Sequence, residues 1–259
     1  MVRKKELKDN IAGYLFIFPA FILLLSFIIY PLLSGIYNSF FSWNLISTPK
    51  FIGIRNYKNL FTASEFYISL INTFKYAIII IPSVLVISFI LAYLIQGKSK
   101  ANVIYRTMYF IPRVTSMVAM SAVWLFLYNP QYGFFNNFLN NIGLPSVRWL
   151  NNPSVALLSV ALIIIWKTIG YATVLFLSGL QNIPQSVIEA AEIDGVMGIK
   201  RIRYIDLPLV SPTSFMLLIL ITIDSLKLFT TIEVMTQGGP ANSTQNLVIM
   251  LYKYGFSKY

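Results

Sequence analysis

Glu189-Ala190-Ala191, then three residues, Gly195, nine residues and Ile205-Asp206-Leu207-Pro208 set out the pattern E-A-A-x3-G-x9-I-x-L-P. These residue types, with Asp194 just before the glycine, suit turning and docking rather than bond chemistry. Cysteine and histidine are both absent. That excludes disulfides, thiol chemistry, Cys/His zinc sites and a Ser-His-Asp triad. Gly97-Lys98-Ser99 looks like the end of a phosphate loop, but Ala92 stands where such a loop needs its first glycine. The remaining ionisable candidates, Lys167, Asp224 and Lys227, sit inside apolar runs.

The elements that must position these residues are helices in a membrane. The chain has 259 residues, 57% hydrophobic and 11% charged, with mean hydropathy +0.70. Soluble domains carry roughly 25% charged residues, and a soluble core of this size cannot hide so much apolar surface. About 20 apolar residues cross a bilayer. Spans are expected at about 13–37, 76–96, 107–128, 155–180 and 211–235. The segment from about 245 reads as an incomplete sixth. The expected fold is therefore an all-α integral membrane bundle, one domain over 1–259.

Orientation follows from Lys and Arg. With the N-terminus inside, the inner segments hold Arg3, Lys4, Lys5, Lys8, Lys98, Lys100, Arg106, Lys200, Arg201 and Arg203. The outer loops, about 38–67 and 129–153 with the residues flanking them, hold fewer: Lys50, Arg55, Lys58, Lys75 and Arg148, with Lys253 and Lys258 unassigned. The N-terminus is therefore expected in the cytoplasm, and the 184–208 hairpin with it. The net charge of +11 then marks membrane orientation rather than nucleic-acid binding.

Within the hairpin, Pro184 suits a first helical turn, and Ser186-x-x-Glu189 has the capping-box pattern. A first, acidic helix is expected to run to Asp194, with Val187, Ile188, Ala191 and Ile193 as its apolar side. Gly195 stops it in a left-handed turn. A second, basic helix is expected over about 197–205. Leu207, preceding Pro208, is expected to leave the helix.

The E-A-A pattern resembles the signature of ABC importer permeases. Further landmarks resemble the carbohydrate branch of the type I (MetI-like) kind: Asn56-Tyr57, Asn72-Thr73, Arg106-x-x-x-Phe110-x-Pro112, Trp166-x-x-x-Gly170, Leu180-Gln181-x-Ile183-Pro184 and Gly238-Gly239-Pro240-Ala241-Asn242-Ser243-Thr244. The resemblance implies a maltose/multiple-sugar type permease with six spans in the usual member. It implies a second homologous permease, two cytoplasmic ATPase domains that hold ATP-Mg, and an extracytoplasmic solute-binding protein. It places the chain in a bacterial or archaeal cytoplasmic membrane. Glu189, Ala190, Ala191, Asp194, Gly195, Ile205, Leu207 and Pro208 would form the ATPase-coupling element, and the chain itself would carry no cofactor and catalyse nothing.

Candidates for the solute path are Trp166, Lys167, Tyr171, Thr173, Asp224, Lys227 and Phe229. Intramembrane charges are costly and rarely face lipid. Asp224 and Lys227 share a helix face and could pair, so a structural ion pair stands beside the path reading. Arg113 and Glu233 are expected nearer a membrane edge. Lysines in the path would also suit glycerol-phosphate, and an amino acid is a further solute. A passive channel is the reading from another class, and the hairpin speaks against it. An integral membrane enzyme would need an acid cluster, histidine or cysteine.

Overall fold

The structure is a computed structural model that describes residues 2–44, 46, 48–97 and 100–257, without the side chains of 2–12, 100, 101, 103 and 257. Lys98, Ser99 and Lys258 lie outside the described residues. The chain divides into two compact units, Met1–Ser64 and Glu65–Tyr259, where the sequence alone reads as one domain.

In the first unit, a helix (α1, Gly13–Asn38) is apolar all round and none of its most apolar window is buried. A π-type turn at Leu25–Ile29 interrupts it. A short antiparallel hairpin follows, β1 (Phe41–Ser42) with β2 (Lys50–Phe51), in the register Phe41 opposite Phe51. Helix α2 (Arg55–Thr62) is fastened back by Asn56, whose Nδ2 donates to the Ser39 and Phe41 carbonyls at 2.8 and 3.0 Å. Tyr57 shares a 2.7 Å hydrogen bond with Ser39. The Asn56-Tyr57 landmark is thus a loop staple.

In the second unit, α3 (Ser64–Leu94) starts well before Tyr76. Its N-terminal half buries Ser69, Asn72 and Thr73, and Asn72, Thr73 and Tyr76 all bond to the 242–247 loop. Helix α4 (Lys100–Val114) and α5 (Met117–Leu127) follow, then a short α6 (Phe134–Asn141). Asn136 organises the segment around α6. It donates to the Pro130 and Val147 carbonyls and accepts from the Val147 amide and Trp149 Nε1, all at 3.0–3.1 Å.

Helix α7 (Pro153–Gln181) is the axis of this unit. Its start is set by Asn152, which accepts from the Ser154 amide at 3.0 Å, with Pro153 at the position where a missing N–H costs nothing. It is hydrophobic around its circumference and 61% of its apolar window is buried, as expected of a helix surrounded by neighbours. Phe89 of α3 meets Phe176 edge-on at 5.6 Å, and Trp124 of α5 meets Trp166 at 5.5 Å. Two glycines set the tightest approaches. A Cβ on Gly170 would overlap the Tyr109 carbonyl of α4 outright. One on Gly179 would stand 2.8 Å from Thr213 Oγ1 and Val210 Cγ1 of the last long run.

That run divides into α9 (Ser211–Leu226) and α10 (Thr230–Met235), after the hairpin whose first helix is α8 (Gln185–Ile193). The chain closes in α11 (Leu247–Tyr252) and a π-type turn, Lys253–Ser257.

Four helical stretches among the described residues are long and apolar enough to cross a membrane, and five if a bent pair counts as one. That pair covers the span expected over 107–128, which is bent in its middle. Helices α4 and α5 meet at 101°. Pro112 removes one helical donor, and Ser116 is extended (ψ 133°). Hydropathy averages over these residues and misses the break. Arg113 therefore lies in the last helical turn before the break. The 211–235 run is also interrupted, at Lys227–Phe229.

Gly170→Ala should lower the melting temperature of the detergent-solubilised protein, because overpacking costs about 1–3 kcal/mol. Gly143, with φ +79° but open space around it, is the wrong control; Gly13→Ala, where nothing stands within 4 Å, should leave the melt unchanged. Equal melts for both variants would refute the close α4–α7 approach.

Candidate functional site: the 184–208 hairpin and a charged break

The hairpin opens after Pro184, which is the N-cap residue of α8 and not its first helical residue. No side-chain cap bond forms, so the Ser186/Glu189 capping box is absent. The far end follows the sequence closely. Gly195 has φ +70°, its amide donates to the Glu192 carbonyl at 3.1 Å, and the Val196 amide donates to the Ala191 carbonyl at 2.8 Å. This is the Schellman closure, which needs a residue comfortable at positive φ. Gly198 turns again at φ +58°.

The second arm differs from the expected helix over 197–205. It begins at Ile199, passes into a π-type turn at Ile202–Asp206 and stays helical through Leu207–Leu209. Leu207 keeps helical angles, φ −61° and ψ −46°, despite preceding Pro208. The wider turn lets the chain pass a residue that has no N–H to donate. The break expected at Leu207 comes at Val210 instead, where ψ is 7°.

The faces are also partly reassigned. Val187 and Ile188 pack toward the core and Ala191 is buried, so Ala191 anchors α8 to its own chain instead of presenting a docking face. Glu189, Ala190 and Asp194 are exposed, as are Leu207 and Pro208, and Ile205 is half-buried. Ile193, expected on the same apolar side as Val187, Ile188 and Ala191, is 86% exposed instead; with Met197 and Ile199, at 83%, it forms an apolar tip. Asp206, which the sequence reading left without a role, is completely buried. Its Oδ1 lies 3.4 Å from Arg201 Nε and its Oδ2 has no partner. Arg201 to Asp206 thus ties the second arm across its own π-type turn. The five-residue spacing is the only trace of this pair in the sequence.

The path candidates separate into two groups. Arg113, at the end of α4, lies 4.7 Å over the Tyr171 ring and 4.0 Å from the Asp224 carboxylate. Lys167 Nζ donates to the Thr115 carbonyl at 2.8 Å and stands within electrostatic reach of Arg113. So the fold brings Lys167, Tyr171 and Asp224 around Arg113, a residue placed elsewhere by sequence. The Asp224–Lys227 pair does not form. Lys227 ends α9 with its side chain exposed. Trp166, next to Lys167, is 45% exposed. Thr173 is fully buried and bonds the Ile169 carbonyl of its own helix at 2.8 Å, and Phe229 packs on Tyr252 at 5.0 Å. Neither joins the cluster.

Residues 69–258 match the family described as binding-protein-dependent transport system inner membrane component. The chain belongs to this family. The permease is 34% identical over 256 residues to the probable ABC transporter permease protein YurN of Bacillus subtilis, spanning 97% of this chain and 87% of that protein. It is 32% identical over 255 residues to the trehalose/maltose transport system permease MalF of Thermococcus litoralis, spanning 98% of this chain and 86% of MalF. Its fold is that of a chain in the crystal structure of a bacterial ABC transporter that imports the acidic polysaccharide alginate. The TM-score is 0.83 at 22% identity, over 99% of this chain and 88% of that one. The permease is a multi-pass membrane protein.

Arg201→Met in the permease should leave a buried carboxylate without its cation, at a cost of about 3–5 kcal/mol. Hydrogen exchange over residues 199–209 should rise sharply. Adding Asp206→Leu should restore most of the protection; if it does not, the pair is not what holds this arm.

Proposed function

We propose that this permease forms half of the translocation path of an ATP-driven, binding-protein-dependent importer for a carbohydrate. The observation that carries the reading is the family match together with a hairpin that ends in exposed apolar residues, Ile193, Met197 and Ile199, beside the exposed Glu189. Short helices that expose an apolar tip outside a bilayer fit a partner groove. The partner is an ATPase domain in the cytoplasm that holds ATP-Mg, since this chain offers no phosphate loop. The hairpin then lies in the cytoplasm with the N-terminus, in agreement with the Lys/Arg distribution. A second, homologous permease completes the path, and an extracytoplasmic protein delivers the solute.

The carbohydrate reading draws on the trehalose/maltose relative and on the landmarks outside the hairpin. Glu189, Ala190, Asp194, Gly195, Leu207 and Pro208 form the coupling surface and its bends, and Ala191 and Ile205 hold it to the bundle. Trp166, Lys167, Tyr171 and Asp224 line the solute side. The chain transmits force and shapes a path, and catalysis belongs to its partner.

Gly195→Val tests the coupling element. A β-branched residue at φ +70° costs about 1–2 kcal/mol, which displaces the tip while the long helices keep their packing. Glu189→Lys reverses charge on the same surface. In vesicles holding the complete importer, both variants should assemble yet lose stimulation of ATP hydrolysis by loaded binding protein. Normal stimulation and uptake in both would sink the coupling assignment. Topology is checked independently with a single cysteine at Ser186, which an impermeant thiol reagent should fail to label in intact cells.

A further inference from the structure

We infer that the break between α4 and α5 is an oxyanion seat, and that the solute carried by this permease bears a carboxylate, phosphate or sulfonate group. The inference rests on the importer reading and narrows its solute class.

Charged side chains within apolar runs do not face lipid. Yet the Arg113 and Asp224 side chains are 37% and 60% exposed on this chain. Their open side must therefore meet either a partner chain or a water-filled path. The charge there is unbalanced. Arg113 and Lys167 converge, and Lys227 lies one turn beyond Asp224 on the same run, while Asp224 is the carboxylate among them. Glu233 on α10 is the one other acid of that run, so cations remain in excess even when it is counted. A neutral sugar is held by matched donors and acceptors. It leaves such an excess of cations without a counter-charge, whereas an anionic group pairs with it.

The geometry favours an oxyanion specifically. The guanidinium lies over the Tyr171 ring at 4.7 Å, and the Arg113 side chain stays 37% exposed, which leaves N–H donors for a ligand. A guanidinium edge matches two oxygens of a carboxylate, phosphate or sulfonate. At 4.0 Å, Asp224 is an ion pair to Arg113 without a hydrogen bond, so it holds the guanidinium loosely. Lys167 is fixed by the Thr115 carbonyl through one of its three donors, leaving two for a ligand. The exposed Trp166 adjoins Lys167 and offers an apolar face for a sugar ring.

The test uses the complete importer in vesicles, with its own binding protein, partner permease and ATPases. The probes are a galacturonate disaccharide, a sulfonated hexose, glycerol 3-phosphate, and the neutral sugars maltose and lactose. Uptake and stimulated ATP hydrolysis are both read. Expected is uptake of at least one oxyanion probe with kcat/KM at least tenfold lower in Arg113→Gln, partly restored in Arg113→Lys. Asp224→Asn removes the competing carboxylate and should lower KM for the same probe several-fold. This second variant also reads the seat should Arg113→Gln fail to assemble. A sugar acid against glycerol 3-phosphate distinguishes an anionic saccharide from a small phosphate. Uptake of neutral sugars alone overturns the inference and leaves the importer reading standing, as does an unchanged or raised KM in Asp224→Asn. No uptake of any probe overturns both.

Discussion

A backbone carbonyl or amide cannot be left bare among apolar groups, and the second unit is organised around that constraint. Its helices are not continuous. The α4–α5 pair breaks at Thr115–Ser116 and the last long run breaks at Lys227–Phe229. Each break frees a carbonyl, and each freed carbonyl is met by a side chain from elsewhere. Lys167 Nζ takes Thr115, and Asn246 Nδ2 takes Leu228 at 2.5 Å. The end of α3 is closed the same way, by Arg106 donating to the Ile95 and Gly97 carbonyls at 3.2 and 3.4 Å. Remove such donors and the breaks have no low-energy form within a bilayer, so the polar residues inside apolar runs determine where the helices can turn.

The loop between α10 and α11 shows the same logic on a larger scale. Gln237, Ala241 and Asn242 all adopt positive φ, which non-glycine residues hold only when their surroundings demand it. The surroundings here are a network from α3. Asn72 bonds the Asn242 and Gln245 carbonyls, Tyr76 bonds the Thr244 carbonyl, and Thr73 accepts from the Leu247 amide. Gln245 reaches Glu65 and Ser69, and Lys253 and Tyr254 reach back to Gln245 and Glu65. Because nearly every partner in the network is itself bonded, the arrangement specifies one loop geometry instead of many.

Much of this was legible in the sequence, for a physical reason. Hydropathy reports how much apolar surface a segment carries, so long apolar helices and the polar hairpin between two of them emerge directly. Gly195 was legible too, because only a left-handed turn there fits the residues around it. What hydropathy cannot report is direction. The break at Ser116 lies inside an apolar run, and nothing local distinguishes it from a kink. Ala191 and Ile193 are both small or apolar residues of one short helix, yet one is buried and the other stands at the tip, because the neighbours of α8 decide the face. Leu207 stays helical because a π-type turn precedes it, a tertiary adjustment with no sequence signature. Asp224 found Arg113 rather than Lys227 because α4 ends beside α9, a contact remote in sequence.

The landmarks that carry the family resemblance gain a common meaning from this. Asn56, Asn72 and Thr73 bond backbone groups of segments distant in the chain, Arg106 closes the end of the preceding helix, and Gly170 admits a neighbouring carbonyl where any side chain would collide. They are staples at helix ends and crossings, and they explain the fold. Residues that select a solute must be sought among side chains the staples leave partly open. By that criterion Thr173 drops out, since it is fully buried and bonded within its own helix, while Phe229 stays half-buried and the Arg113 side chain 37% exposed. Lys167 acts as a staple as well: one of its three donors holds the Thr115 carbonyl of the broken helix. The bond from Lys167 therefore ties the α4–α5 bend to α7, the helix that leads directly into the hairpin.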